Sequence, residues 1–248
     1  MSRRRPPRAA VGPVTPPTPP ESSARQLWGR ACLACGAAAV GLWWTVIVWA
    51  GSQLPNFSHR QQFISELGAG DSPQALAVRG LGFGLAGVLT MVCGLYIAAR
   101  CRHDRAALLG SVLLLLAGAA RLGAGLYPCD VGCPVFQASA AQLIHSWAER
   151  ASLGLLILAA TSWGVAANRY PALKAISVVS FGCATWSIVL LVMMVTSPDQ
   201  PGLYERLASG LLSLWMLLFV VTLWRAGLWQ RALDWQRPDY APRRRRFR

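Results

Sequence analysis

The chain has 248 residues, of which 54% are hydrophobic and only 14% charged, whereas a soluble domain carries about a quarter charged residues. That scarcity of charge, with a mean hydropathy of +0.39, excludes an ordinary soluble domain and makes lipid the solvent. The net charge of +14 is almost all arginine, Lys174 being the single lysine; because the arginines sit in the tails and in short loops between apolar runs, they orient a membrane protein, and no nucleic acid is expected as a partner.

Residues 1–26 come first and are rich in Arg, Pro, Ala, Ser and Thr, with Arg3, Arg4, Arg5, Pro16, Pro17, Pro19 and Pro20 among them. Such a segment buries too little apolar surface to fold, so a disordered cytoplasmic tail is expected. The apolar run behind it is too long for the hydrophobic region of a cleavable signal and reads as an uncleaved span.

A helix needs about 20 apolar residues to cross a bilayer. Six runs qualify, at 27–51, 75–99, 106–126, 140–167, 173–196 and 203–223. Proline and charge clusters separate them, which are credible helix stops. The expected fold is all-α: a polytopic bundle of six transmembrane helices over residues 27–226, followed by a basic cytoplasmic tail at 227–248. The positive charge alternates from side to side. Arg25 and Arg30 flank the first span, Arg100, Arg102 and Arg105 fill the second connection, Arg169 and Lys174 the fourth, and arginines from Arg225 to Arg248 follow the last. The first, third and fifth connections carry little beyond Arg60 and Arg206. This bias places both termini in the cytoplasm. Trp28, Trp49, Trp147, Trp163 and Trp224 fall near span ends, where aromatic anchors sit. Gly80 and Gly84 form a G-x-x-x-G step, and with Gly87, Gly94, Gly118 and Gly125 they predict close packing of the second and third spans.

The informative residues are those that hydrocarbon should exclude. They gather toward the extracytoplasmic half: His59, Ser65 and Glu66 in the first outer loop, Arg79, Arg121, Asp130, His145, Glu149 and Glu205. His145 and Glu149 are four apart and share a helical face, which Gln142 and Ser152 continue. Glu205, Ser209 and Ser213 share another. Ionisable groups in a span face the bundle interior and pair. His145, Glu149, Arg121, Arg79 and Glu66 are therefore expected to converge, with the loop at 128–134 folding over Arg121 as a lid. Two readings stay open: a knot that fixes helix register, or a site for a headgroup or small ligand that also draws on Ser65, His59 and Asp130.

Cys129 and Cys133 flank a short outer loop. An oxidising compartment favours a disulfide between them over free thiols or a metal, since Cys-x-x-x-Cys with one nearby histidine is not a standard zinc spacing. No metal and no cofactor is expected. The chain lacks a phosphate-binding glycine loop, a G-x-S-x-G elbow and the paired span histidines of a haem bundle. Cys32, Cys35, Cys93, Cys101 and Cys183 read as small packing residues.

Two motifs carry a resemblance. Phe57-Ser58-His59 through Ile64-Ser65-Glu66-Leu67-Gly68-Ala69, and Tyr127-Pro128-Cys129-Asp130-Val131-Gly132-Cys133 followed by His145, resemble the bacterial domain-of-unknown-function 998 family of six-span membrane proteins over residues 30–226. The resemblance implies six spans in a bacterial inner membrane and no assigned activity. A weaker similarity, through Ile64-Ser65-Glu66, Ser72-Pro73 and His145, points to the six-span autophagy-modulator and GPI-remodelling family and hence toward lipid handling. The expected function is a non-enzymatic membrane protein whose outer-leaflet polar cluster binds a lipid headgroup or small ligand. A lipid-modifying enzyme or small transporter using the same cluster is the alternative. Membrane lipids are the expected partners, with a second copy or another membrane protein as further candidates.

Overall fold

The computed structural model describes residues 23–134, 138–170, 173–197 and 199–226; the N-terminal tail up to residue 22 and the basic tail at 227–248 lie outside the described residues. Six long helices run through it: α1 (Ser23–Gln53), α2 (Ala75–Arg100), α3 (Arg105–Leu126), α4 (Ala140–Ala167), α5 (Lys174–Thr196) and α6 (Pro201–Ala226). Each is long and apolar enough to span a membrane, and no strand occurs among the described residues. The chain is a multi-pass membrane protein. Its first helix starts at Ser23, before the apolar run, because Ala24, Arg25, Gln26 and Leu27 are good helix formers and a helix needs no apolar side chain outside the hydrocarbon.

Each helix packs on its neighbours in sequence, and α6 closes against α1, so the six form a ring. Alternating direction puts residues 54–74, 127–134 and 199–200 at one end, the cysteine end. Residues 101–104 and 168–170 lie at the other.

The tightest seam joins α2 to α3. A Cβ placed on Gly87 would lie 2.7 Å from the carbonyl oxygen of Gly118, and one on Gly118 would lie 2.6 Å from that of Gly87. No side chain fits there, so the two backbones touch, as small residues permit in lipid. Gly80 does not join this seam and meets open space. The helix is π-helical over Val78–Leu85, and the wider turn moves Gly80 off the face that carries Gly84 and Gly87. Four of the five tryptophans expected at span ends are exposed, Trp28 and Trp147 by 73% and 68%. Trp163 is the exception: it is buried, with its ring over Gly110 and 4.6 Å from that of Phe219. Gly110 leaves the space that an indole fills, so Trp163 belongs to the core.

At the end opposite the cysteines, Asp104 ties three segments together. Its Oδ1 accepts from the backbone N–H groups of Ala106 (2.9 Å) and Ala107 (3.1 Å), capping α3. Arg169 Nη1 donates to both carboxylate oxygens, at 3.2 and 3.3 Å, and the Tyr170 hydroxyl donates to Oδ2 at 2.9 Å. Burial by itself raises the Asp104 carboxyl. The Ala107 N–H, the Tyr170 hydroxyl, the Arg169 charge and the Ala106 N–H outweigh it and hold the group below the usual carboxylate range. Burial, then the hydrogen bond to Asp104, pushes the Tyr170 hydroxyl up.

Candidate functional site

The cysteine end is built around the last turn of α3, whose final carbonyls have no partner within the helix. Side chains from other helices supply them. His145 Nδ1 lies 2.8 Å from the Ala124 oxygen and 3.0 Å from the Tyr127 oxygen. Two acceptors at that nitrogen require it to carry the proton. Arg79 donates from Nε to the Gly125 oxygen and from Nη2 to the Leu126 oxygen, both at 3.1 Å. Four consecutive carbonyls, 124–127, are thus met by one imidazole and one guanidinium, at the helix end that favours positive charge.

With Nδ1 so engaged, the other nitrogen of His145, Nε2, points at Glu149. It lies 3.7 Å from Glu149 Oε2 and makes no hydrogen bond. Beyond Glu149 the bundle interior opens into a cavity of about 10 Å³, room for roughly one water molecule. Trp43 of α1, Phe83 of α2, Arg121 of α3, Glu149 and Ser152 of α4, and Glu205 and Ser209 of α6 line it, with Ile64 of the first loop closing the top. Glu205 is buried and accepts the Ile64 N–H at 2.7 Å. Trp43 donates from Nε1 to Ser209 Oγ at 3.3 Å and lends its face to Arg121, whose guanidinium carbon sits 4.3 Å from the ring centroid. Among the described residues Arg121 forms no ion pair and no side-chain hydrogen bond, although two carboxyl groups share its cavity. A second cavity of about 20 Å³, also lined by Arg121 and Ser152, continues toward Thr90 and Ser213.

The expected convergence therefore holds for His145, Glu149 and Arg121 and fails for Arg79 and Glu66. Arg79 serves the end of α3. Glu66 stays within its own loop, accepting from Phe63 N at 2.8 Å and Gln62 Nε2 at 2.9 Å. That loop winds into a short 3₁₀ turn over Ile64–Gly68. The loop over Arg121 is this one, since Ile64 lines the Arg121 cavity and no residue of 128–134 does; that segment packs on the first loop instead, where Gly70 N donates to the Cys129 oxygen at 3.2 Å and Ser65 Oγ lies 3.4 Å from Cys133 Sγ. Cys129 and Cys133 are bridged. Asp130 accepts from the N–H and hydroxyl of Ser139, both at 2.8 Å, which hold its carboxyl below the usual range. His59 is exposed, packed over Gly51 and 5.1 Å from the Phe57 ring; burial, then the Arg206 charge, lowers its titration. Glu205, Trp43 and Ser209 complete the cavity. Of these, Glu205 and Ser209 were legible as one face of a helix, and Trp43 carried no polar signal beyond its N–H.

A family model described as "Protein of unknown function (DUF998)" matches residues 37–222, all of the bundle apart from its outermost turns. No curated protein matches the chain, and no solved structure does.

Proposed function

The chain belongs to the DUF998 family, and from that premise we propose a non-enzymatic protein of the bacterial inner membrane whose buried polar centre binds the headgroup of a membrane lipid. Both termini lie in the cytoplasm on this reading, because the connections at 101–104 and 168–173 carry the basic residues. The cavity then falls in the outer leaflet half. One observation carries the reading: Arg121 faces a cavity between helices with an aromatic ring against its guanidinium, and among the described residues it forms no ion pair with the two carboxyl groups that line the same cavity. An ionisable group held in a span without a partner is costly and marks a site for something that arrives. The cavity has room for about one water and Ile64 lines it, so a headgroup enters by displacing the Ile64–Gly68 turn. Native mass spectrometry of the purified protein tests this. Wild type should retain a lipid through delipidation that Arg121→Gln releases, at equal melting temperature. Loss of lipid from both at the same rate would reject it. The two cavities meeting at Arg121 favour a second reading, a small transporter; uptake into vesicles, abolished by Arg121→Gln, would distinguish it.

A further inference from the structure

The charges around the cavity do more than admit a headgroup; they select its class. We infer that the site takes a zwitterion with an ammonium and a phosphate a few bonds apart, the chemistry of a phosphoethanolamine headgroup. This inference rests on the headgroup reading above.

The cavity presents one guanidinium and two carboxyl groups. A plain anion would gain Arg121 and meet both Glu149 and Glu205. A plain cation would gain the carboxylates and meet Arg121. Neither matches the lining, because unlike groups are kept apart there. Arg121 lies on the face of Trp43 and pairs with no carboxylate among the described residues. Glu205 accepts the Ile64 N–H and is hydrogen-bonded to Glu149, so the two carboxyl groups share a proton and form one negative pole, with His145 Nε2 3.7 Å from Glu149. Positive and negative poles therefore persist side by side, each short of a partner of the opposite sign. A ligand bearing both charges satisfies both poles and leaves no charge buried alone, which is the costly outcome in a dry site. Its ammonium replaces the Ile64 N–H at Glu205, so the turn that closes the cavity is released by the same group that fills it. The phosphate takes the guanidinium, which is shaped for bidentate contact. Quaternary headgroups fit less well: a trimethylammonium has no N–H to give to Glu205.

The test uses the full chain, stripped of lipid in detergent and then offered phosphatidylethanolamine, phosphatidylglycerol or phosphatidylcholine of matched acyl chains, with bound lipid read by native mass spectrometry. Wild type should retain phosphatidylethanolamine about tenfold over either competitor. Glu205→Gln and Glu149→Gln should melt near wild type and lose that preference. Arg121→Lys, which keeps the charge, should retain binding in case Arg121→Gln folds poorly. Soluble phosphoethanolamine, added as a competitor, should displace the lipid if the site reads the headgroup alone; failure to compete would assign the site to an intact lipid of the same chemistry. Equal or greater retention of phosphatidylglycerol, or an unchanged preference in both Gln variants, would overturn the zwitterion while leaving a headgroup site. Retention of no lipid by wild type would overturn the headgroup reading as well.

Discussion

Two buried carboxylate centres sit at different depths of this bundle, and they are satisfied to different degrees. Asp104 has four donors around two oxygens: two backbone N–H groups, a phenol and a guanidinium. Glu149 and Glu205 are hydrogen-bonded to each other and share a cavity with Arg121, yet the guanidinium is spent on an aromatic face and, among the described residues, the Ile64 N–H is the one further donor to Glu205. The first arrangement is what a fold needs to bury a charge. The second leaves electrostatic capacity unused, in the region where burial makes it most expensive. Completeness of pairing, more than the presence of charge, separates a structural knot from a candidate site.

That contrast can be broken or sharpened by experiment. The largest effect is all-or-none and concerns sidedness. Reporter fusions at Ser197 and Arg248 should report opposite compartments, which would put the two centres near opposite membrane faces; agreement between them would end the six-span orientation. Next, Asp104→Ala should cost about 3 kcal/mol in detergent unfolding, because it removes a helix cap and strands the Tyr170 hydroxyl and two N–H groups. Arg169 is half exposed and adds little to that figure. A variant as stable as wild type would show that the corner is not a fastening.

Reducing the Cys129–Cys133 bridge should lower stability by about 2 kcal/mol on chain-entropy grounds, since the closed loop is short. Thiol labelling before and after reductant checks that the bridge is there to break. Arg121→Gln should change stability by less than about 1 kcal/mol, because among the described residues the guanidinium has no ion pair to break, and breaking one is what makes loss of a buried charge costly. A loss as large as that of Asp104→Ala would make the centre a second knot. The smallest effect is on pH dependence. The folded Asp104 carboxyl titrates below its unfolded value. Its contribution is thus present above the unfolded value of about 4 and is lost as pH falls through the folded one. Melting of wild type should therefore drop on acidification below about pH 4 more than melting of Asp104→Asn does.

The spans were legible because hydrocarbon imposes a length and a composition that few other folds share. So was the face joining His145, Glu149 and Ser152, since helical spacing alone sets it. Arg79 was misread for a physical reason: a side chain list shows carboxylates as partners for an arginine but hides the backbone carbonyls at a helix end. Glu66 likewise found its own loop N–H before it could reach a span. Asp104 drew no reading from the sequence, because it stands among Arg100, Arg102 and Arg105, whose charge marks a loop, although an Asp ahead of Ala106 is also a helix-start signal. The occupant of the lid position was not legible, because nothing local tells which of two loops folds inward.

The seam between α2 and α3 bears on how the protein is made. Arg79 near the start of α2 finds its acceptors only at the end of α3, and Gly87 and Gly118 allow the two backbones to meet. A ribosome that has delivered α2 alone presents the membrane with an arginine that has nothing to hold. The helices are therefore expected to leave the translocon as a hairpin. An insertion reporter carrying α2 should integrate poorly until α3 is appended, and appending an α3 with Gly118→Leu should restore little.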